Sequence, residues 1–195
     1  MATTNAGKLR EIERLLAGLP FDVRALDARS AIEPPEETGV TFADNARLKA
    51  RYYARAMRQL AIADDSGLEI AALGGRPGVL SARYPGATYL ERFDNLYREL
   101  TAAEADDRSA RFVCAVALAA PDGDLVFEAE GVVDGVIAPA PRGSGGFGYD
   151  PIFYYPPGGA TMAEIPTEMK DAVSHRGAAL RQLRTYLERQ LVSWP

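Results

Sequence analysis

Apolar residues fall at helical spacing at Leu9, Ile12, Leu15, Leu16 and Leu19, with Lys8, Arg10, Glu11, Glu13 and Arg14 between them. Gly18 and Pro20 mark the end of that helix. Phe21, Val23 and Ala25 then alternate with Asp22 and Arg24, which predicts a strand. Residues 31 to 40 predict a loop, and Thr41 is placed to cap a second helix through Phe42, Asn45, Ala46, Lys49, Tyr53 and Met57. The short run Leu60-Ala61-Ile62-Ala63 predicts a buried strand that Asp64-Asp65-Ser66-Gly67 ends. A Gly- and Pro-rich stretch over 73 to 88 precedes a third helix with Leu90, Phe93, Leu96, Tyr97 and Leu100 on one side. Residues 111 to 119 predict a long apolar strand, Pro121-Asp122-Gly123-Asp124 a turn, and 125 to 138 one or two further strands. A glycine-rich loop, 143 to 148, leads into an extended run, and Leu180, Leu183, Leu187 and Leu191 mark a C-terminal helix. Helices alternating with strands around a hairpin-like middle predict a mixed α/β fold.

Composition narrows the function classes. Apolar residues make up 47% and charged residues 25% of the 195 positions, which suits one globular domain with a real core. The net charge of −5 disfavours non-specific nucleic-acid binding, because that affinity comes from neutralising phosphates. No apolar stretch approaches a membrane span and the start has no signal-peptide character, so the expected setting is the cytoplasm, with no membrane or nucleic-acid partner. One cysteine, Cys114, precludes an intrachain disulfide and reads as a buried small residue. With a single histidine, His175, no Cys/His zinc site can form.

Several segments carry candidate chemistry, each with a plainer alternative. Gly143, Gly145 and Gly148 match G-x-G-x-x-G, but Pro151 and a β-type run follow where a dinucleotide site needs a helix. The loop is then either a turn or a bare backbone that lets a planar ligand approach, with Phe147 available to stack. Thr3-Thr4-Asn5-Ala6-Gly7-Lys8 is either a capped helix start or a phosphate grip built from helix N–H groups and Lys8. Asp64-Asp65-Ser66-Gly67 is either a solvated turn or a pair of carboxylates for Mg²⁺ and proton transfer. Glu36-Glu37 is either exposed loop or a further oxygen ligand. Ser174-His175-Arg176-Gly177 opens the last helix, where His175 and Arg176 read as surface residues of a first turn; a nucleophilic serine is disfavoured because the G-x-S-x-G elbow is missing.

Taken together, and in this order along nearly the whole chain, these segments resemble the inosine triphosphate pyrophosphatase family. The resemblance rests on residues 3 to 8, Glu36-Glu37-Thr38-Gly39 with Phe42, Asn45 and Lys49, Ala63 to Leu68, Ser81-Ala82-Arg83-Tyr84, Gly145 to Phe153, and residues 174 to 177. It implies an α/β fold with an elongated mixed sheet, flanking helices and two lobes around a central substrate cleft, in a single domain over 1 to 195 and a homodimeric assembly. It also implies hydrolysis of ITP, dITP or XTP to the monophosphate and pyrophosphate, which cleanses the nucleotide pool. Matched residue by residue, Thr3, Thr4, Asn5, Ala6, Gly7 and Lys8 grip the phosphates, and Asp65 is proton acceptor and metal ligand. Glu37 is the second Mg²⁺ ligand, with Asp64 in support. Ser66 contacts substrate, and Lys49 and Lys170 face it. Phe147, Gly148, Tyr149, Asp150, His175 and Arg176 hold the base. Family members usually carry a short apolar strand before the Thr-x-Asn segment; only Met1 and Ala2 precede Thr3 here, so either the start lies upstream or that strand is largely absent. The alternatives are a pyrophosphatase of similar fold acting on pyrimidine or modified nucleotides, and a catalytically weak nucleotide sensor.

Overall fold

A computed structural model describes residues 5–21, 23–26, 32–104 and 106–192. The elements run α1 (Ala6–Leu16), α2 (Phe42–Met57), β1 (Ala61–Ile70), α3 (Tyr89–Ala102), β2 (Ser109–Ala119), β3 (Leu125–Ile137), β4 (Phe153–Tyr155), β5 (Ala160–Thr161), α4 (Thr167–Val173) and α5 (His175–Val192). The strands neighbour one another in chain order, β1-β2-β3-β4-β5. β3 pairs antiparallel with β4, Val136 opposite Tyr154, and β4 with β5, Tyr154 opposite Thr161. This is the mixed α/β class that the alternating pattern predicts.

The chain divides into two compact units, the first from residues 1–65, 114–131 and 175–195, the second from 66–113 and 132–174. β1, β2 and β3 each run from one unit into the other. In the first unit Ile12 and Leu16 of α1 and Ala179, Leu180, Leu183 and Leu187 of α5 close over Cys114, Val116 and Leu118 of β2. Arg184 of α5 donates to the carbonyls of Leu15 (3.1 Å) and Ala17 (2.8 Å), satisfying groups that the end of α1 leaves without helical partners. α2 starts where Thr41 predicts, its hydroxyl accepting from the Asp44 N–H, and buries Ala46, Ala50 and Ala54 on one stripe. In the second unit Leu68, Ile70, Phe93, Leu96, Leu100, Ile137, Ile152 and Met162 form the core, and the Phe112 and Phe153 rings stack at 4.2 Å.

The structure corrects three expectations. Residues 23–26 form no strand; Phe21 and Val23 pack on the first core and Ala25 is exposed, while Asp22 lies outside the described residues. Leu90 is exposed in the first turn of α3, two positions after the Thr88 cap. Most consequential, Asp64-Asp65-Ser66-Gly67 does not end β1 but lies in its middle. Turn propensity loses there because both carboxylates find buried cationic partners in the first unit. Gly67, in turn, admits the Gly78–Arg83 turn of the second unit: a Cβ would sit 2.3 Å from Ser81 Oγ and 2.7 Å from the Gly78 carbonyl.

Gly131 plays the same part in the first unit. A Cβ there would lie 2.1 Å from the His175 carbonyl oxygen and 2.7 Å from the Ala179 nitrogen, so β3 meets the start of α5 only with hydrogen at this position. Because both obstacles are backbone, Gly131→Ala is expected to cost about 1–3 kcal/mol. Urea unfolding should show this as a lower midpoint with unchanged slope.

Candidate functional site

The first unit gathers seven charged groups, starting from helix spacing. Lys8 and Glu11 are three apart on α1 and therefore share a face. Lys8 Nζ lies 2.9 Å from Asp64 Oδ2. The same oxygen is 3.4 Å from Arg176 Nη2, and Arg176 Nη1 is 2.6 Å from Glu11 Oε2. Asp64 and Arg176 are each 2% exposed, and Glu11 5%. Burial acts to raise the Asp64 pKa, but Lys8, Arg176 and Lys49 override it and hold the carboxyl well below the usual range. Burial likewise acts against the Arg176 charge, and Asp64, Cys114 and Glu11 more than restore it. Cys114 Sγ lies 4.0 Å from Asp64; burial pushes this thiol up to about 12, so it stays protonated and unreactive.

The second charged group centres on Lys49. Its ammonium lies 2.7 Å from Glu37 Oε1 and 3.0 Å from Asp65 Oδ1. Asn45, one turn earlier on α2, donates to Asp65 Oδ2 at 3.1 Å and accepts from the Gly39 N–H at 2.8 Å. That second bond ties the loop carrying Glu37 to α2, and Gly39 permits it, since a Cβ there would be 2.5 Å from Asn45 Oδ1. Burial raises the Asp65 pKa despite Lys49, Lys8 and Asn45. For Lys49, burial lowers the pKa but Asp65, Asp64 and Glu37 prevail and raise it. Neighbouring aspartates on one strand thus titrate in opposite directions, which separates a fixed anion, Asp64, from a better proton acceptor, Asp65.

In the second unit the glycine-rich loop is clamped by a buried ion pair. Lys170 Nζ on α4 lies 2.5 Å from Asp150 Oδ2, and the two residues are 6% and 3% exposed. Asp150 Oδ2 also accepts from the Phe147 N–H at 2.7 Å, and the ammonium sits 4.9 Å from the Phe147 ring centre. Gly146 takes φ +67°, and a Cβ there would be 2.0 Å from Asp150 Oδ2. Tyr149 donates to the Ser81 carbonyl at 2.8 Å and meets the Tyr89 ring edge-on at 5.4 Å. Phe147 and Gly148 are half-buried on this rigid support, as is Ser66 on β1.

Of the residues the sequence singles out, Lys8, Glu37, Lys49, Asp64, Asp65 and Arg176 come together in the first unit. Phe147, Tyr149, Asp150 and Lys170 come together in the second. Thr3 and Thr4 lie outside the described residues. Asn5 caps α1, its Oδ1 accepting from Gly7 N (2.9 Å) and Lys8 N (3.2 Å). Those two amides are therefore not the open anion donors that the helix start suggests; the cap supplies its own acceptor. His175 and Arg176 are 7% and 2% exposed, not the surface residues of a first turn. Glu11 and Asn45 were not singled out for the site. Their positions, three after Lys8 and four before Lys49, carry a signal, a shared helix face, and Asn45 also stands in the segment that carries the family resemblance.

Removing one partner from such a network leaves charge buried. Arg176→Met is expected to cost about 3–5 kcal/mol in urea unfolding at neutral pH, because Glu11 and Asp64 each lose a buried cationic partner. The pH sign follows from Asp64. Its folded pKa is depressed, so its contribution is present above the ordinary 3.8 and is lost as pH falls through the lower folded value. Asp64→Asn should therefore flatten the acid limb of the stability curve below pH 3.8, measured by denaturant titration at each pH.

Comparison with known proteins places the chain among its relatives. The chain is 51% identical over 183 residues to a dITP/XTP pyrophosphatase of Nostoc sp., covering 94% of this chain and 90% of the relative. It is 52% identical over 185 residues to a dITP/XTP pyrophosphatase of Thermus thermophilus, covering 94% and 88%. A HAM1 protein structure from Coxiella burnetii superposes with a TM-score of 0.89 at 45% identity over 96% of both chains. A nucleoside-triphosphatase / dITP/XTP pyrophosphatase from Mycobacterium abscessus gives 0.74 at 41% identity, covering 93% and 95%. The Ham1 family model matches residues 1–186, and the chain belongs to the Ham1 family.

Proposed function

We propose that this protein hydrolyses non-standard purine nucleoside triphosphates, dITP, ITP and XTP, to the monophosphate and pyrophosphate. The observation that carries the reading is the Lys49 ammonium bridging two carboxylates, Glu37 and Asp65, with Lys8 paired to the neighbouring Asp64. Splitting a triphosphate requires charge neutralisation and an aligned water more than covalent chemistry. Relatives named dITP/XTP pyrophosphatase at about half identity support the substrate class.

The acidic pair fits Mg²⁺. Glu37 and Asp65 already share one cation, the Lys49 ammonium, so their oxygens converge on a position where positive charge is held. A hard ion of this kind is held by one or two carboxylates, with phosphate oxygens and waters completing its shell. When bound, Mg²⁺ supplies Lewis acidity at the phosphates and a lower pKa for a neighbouring water.

The protein's own groups do the rest. Asp65, its pKa raised by burial, accepts the proton of the attacking water at a carboxylate oxygen. Asn45 fixes the other oxygen of that carboxylate and so orients it. Lys8, held by Asp64, and Lys49 lend positive charge to the departing pyrophosphate, with Asn5, Ala6 and Gly7 forming the segment around it. Ser66 contacts the nucleotide. Phe147 offers a face for the base, kept rigid by Asp150 and Lys170, with Gly148 and Tyr149 beside it. His175 and Arg176 are assigned to the six-position carbonyl of hypoxanthine or xanthine, which adenine replaces with a donor. The resemblance also carries homodimeric assembly and a cytoplasmic setting into the proposal. No helix among the described residues is long and apolar enough to cross a membrane.

Asp65→Asn is expected to lower turnover of ITP at least ~10²-fold, the scale of a lost general base, with pyrophosphate release as the readout. Near-normal turnover would overturn the assignment. In the same assay ATP is expected to react far more slowly than ITP or XTP, by up to ~10⁴-fold where the wrong base leaves site donors unpaired. Equal rates would refute the base reading. Equal rates on dTTP would favour the pyrimidine alternative, and no pyrophosphate from any nucleotide with Mg²⁺ present would favour a sensor.

A further inference from the structure

The Lys49 ammonium occupies the place between Glu37 Oε1 and Asp65 Oδ1, at 2.7 and 3.0 Å. Its side chain is 11% exposed, and the stem on α2 is anchored beside buried Ala46, Ala50 and Tyr53. The site is close to neutral as it stands. Lys8, Lys49 and Arg176 face Glu11, Glu37, Asp64 and Asp65, three cations against four carboxylates. A divalent ion joining this set while Lys49 stays would place like charges on the same two oxygens, at separations where repulsion in a poorly solvated site is strong. A dication in place of the ammonium reuses those oxygens instead.

We infer that Lys49 is a built-in counter-ion that the divalent metal displaces, so that metal entry and release of the lysine are one exchange. The inference rests on the reading of Glu37 and Asp65 as metal ligands. Its consequence is coupling. Metal alone binds weakly because the ammonium must first give up two carboxylates, and a triphosphate gives the displaced ammonium new anionic partners, so metal and nucleotide strengthen each other's binding. Linkage makes that effect reciprocal. Without metal the lysine keeps the two acids from facing each other uncompensated.

The exchange is read in two ways that do not depend on turnover. In wild-type protein carrying ¹⁵N-lysine, saturating Mg²⁺ without nucleotide is expected to shift the Lys49 ammonium resonance, identified by its absence from Lys49→Arg. The resonance of Lys170, paired with Asp150, should stay. Separately, Lys49→Met is expected to bind Mn²⁺ about 5–150-fold more tightly than wild type in the absence of nucleotide, the usual span of a coupling between two ligands. An unmoved Lys49 resonance, or Mn²⁺ binding no tighter in Lys49→Met, overturns the inference. Glu37→Gln and Asp65→Asn separate the two levels. If both weaken Mn²⁺ binding while Lys49 does not respond, the metal site stands and the exchange falls. If neither weakens it, the metal assignment itself falls. Should Lys49→Met fail to fold, the wild-type resonance decides alone.

Discussion

The arrangement depends on one constraint: two successive aspartates in the middle of a buried strand must both be neutralised. Asp64 and Asp65 sit in β1 at 2% and 7% exposure. Uncompensated charge at that depth costs several kcal/mol per ion, so each carboxylate has to be met by cations and donors brought from elsewhere in the chain. Successive side chains on a strand point to opposite faces, and the two aspartates accordingly recruit different partners. Asp64 draws Lys8 from α1 and Arg176 from α5, while Asp65 draws Lys49 and Asn45 from α2. The first unit is organised by these demands as much as by its apolar core.

The same constraint separates the chemical roles. Where cations outweigh burial, as at Asp64, the carboxyl stays a fixed anion that holds Lys8 in position. Where burial outweighs the cations, as at Asp65, proton affinity rises and the group becomes the better base. The second unit solves a simpler problem of the same kind. One buried pair, Asp150 with Lys170, holds the backbone of a glycine loop and the underside of the Phe147 ring. Glycines serve both units by removing a Cβ where backbone must approach, at Gly131 beside α5 and at Gly146 beside Asp150.

Much of this was legible from residue order. The Thr41 cap, the period of α1, the long apolar run of β2 and the turn at Gly123 are local signals, and each emerged as read. The candidate residues were legible too, because motif spacing carries the family. Their environments were not. Asp-Asp-Ser-Gly is a turn by local propensity and a strand centre by tertiary demand, and nothing within four residues reports that Lys8 and Arg176 lie at its side. Glu11 looked like one more charge on an amphipathic helix; it is buried only because α5 brings Arg176 to it.

The sequence by itself determined the alternation of helices and strands, the acidic and basic residues available for chemistry and the resemblance that orders them, since these follow from short-range periodicity and motif spacing. Only the tertiary structure decided which carboxylate faces which cation, that Asn5 uses the Gly7 and Lys8 amides for its own cap, and that one ammonium bridges Glu37 and Asp65. The reason is physical: pKa and pairing depend on burial and on distances of a few ångströms between residues far apart in the chain. Periodicity along the chain holds no record of those distances.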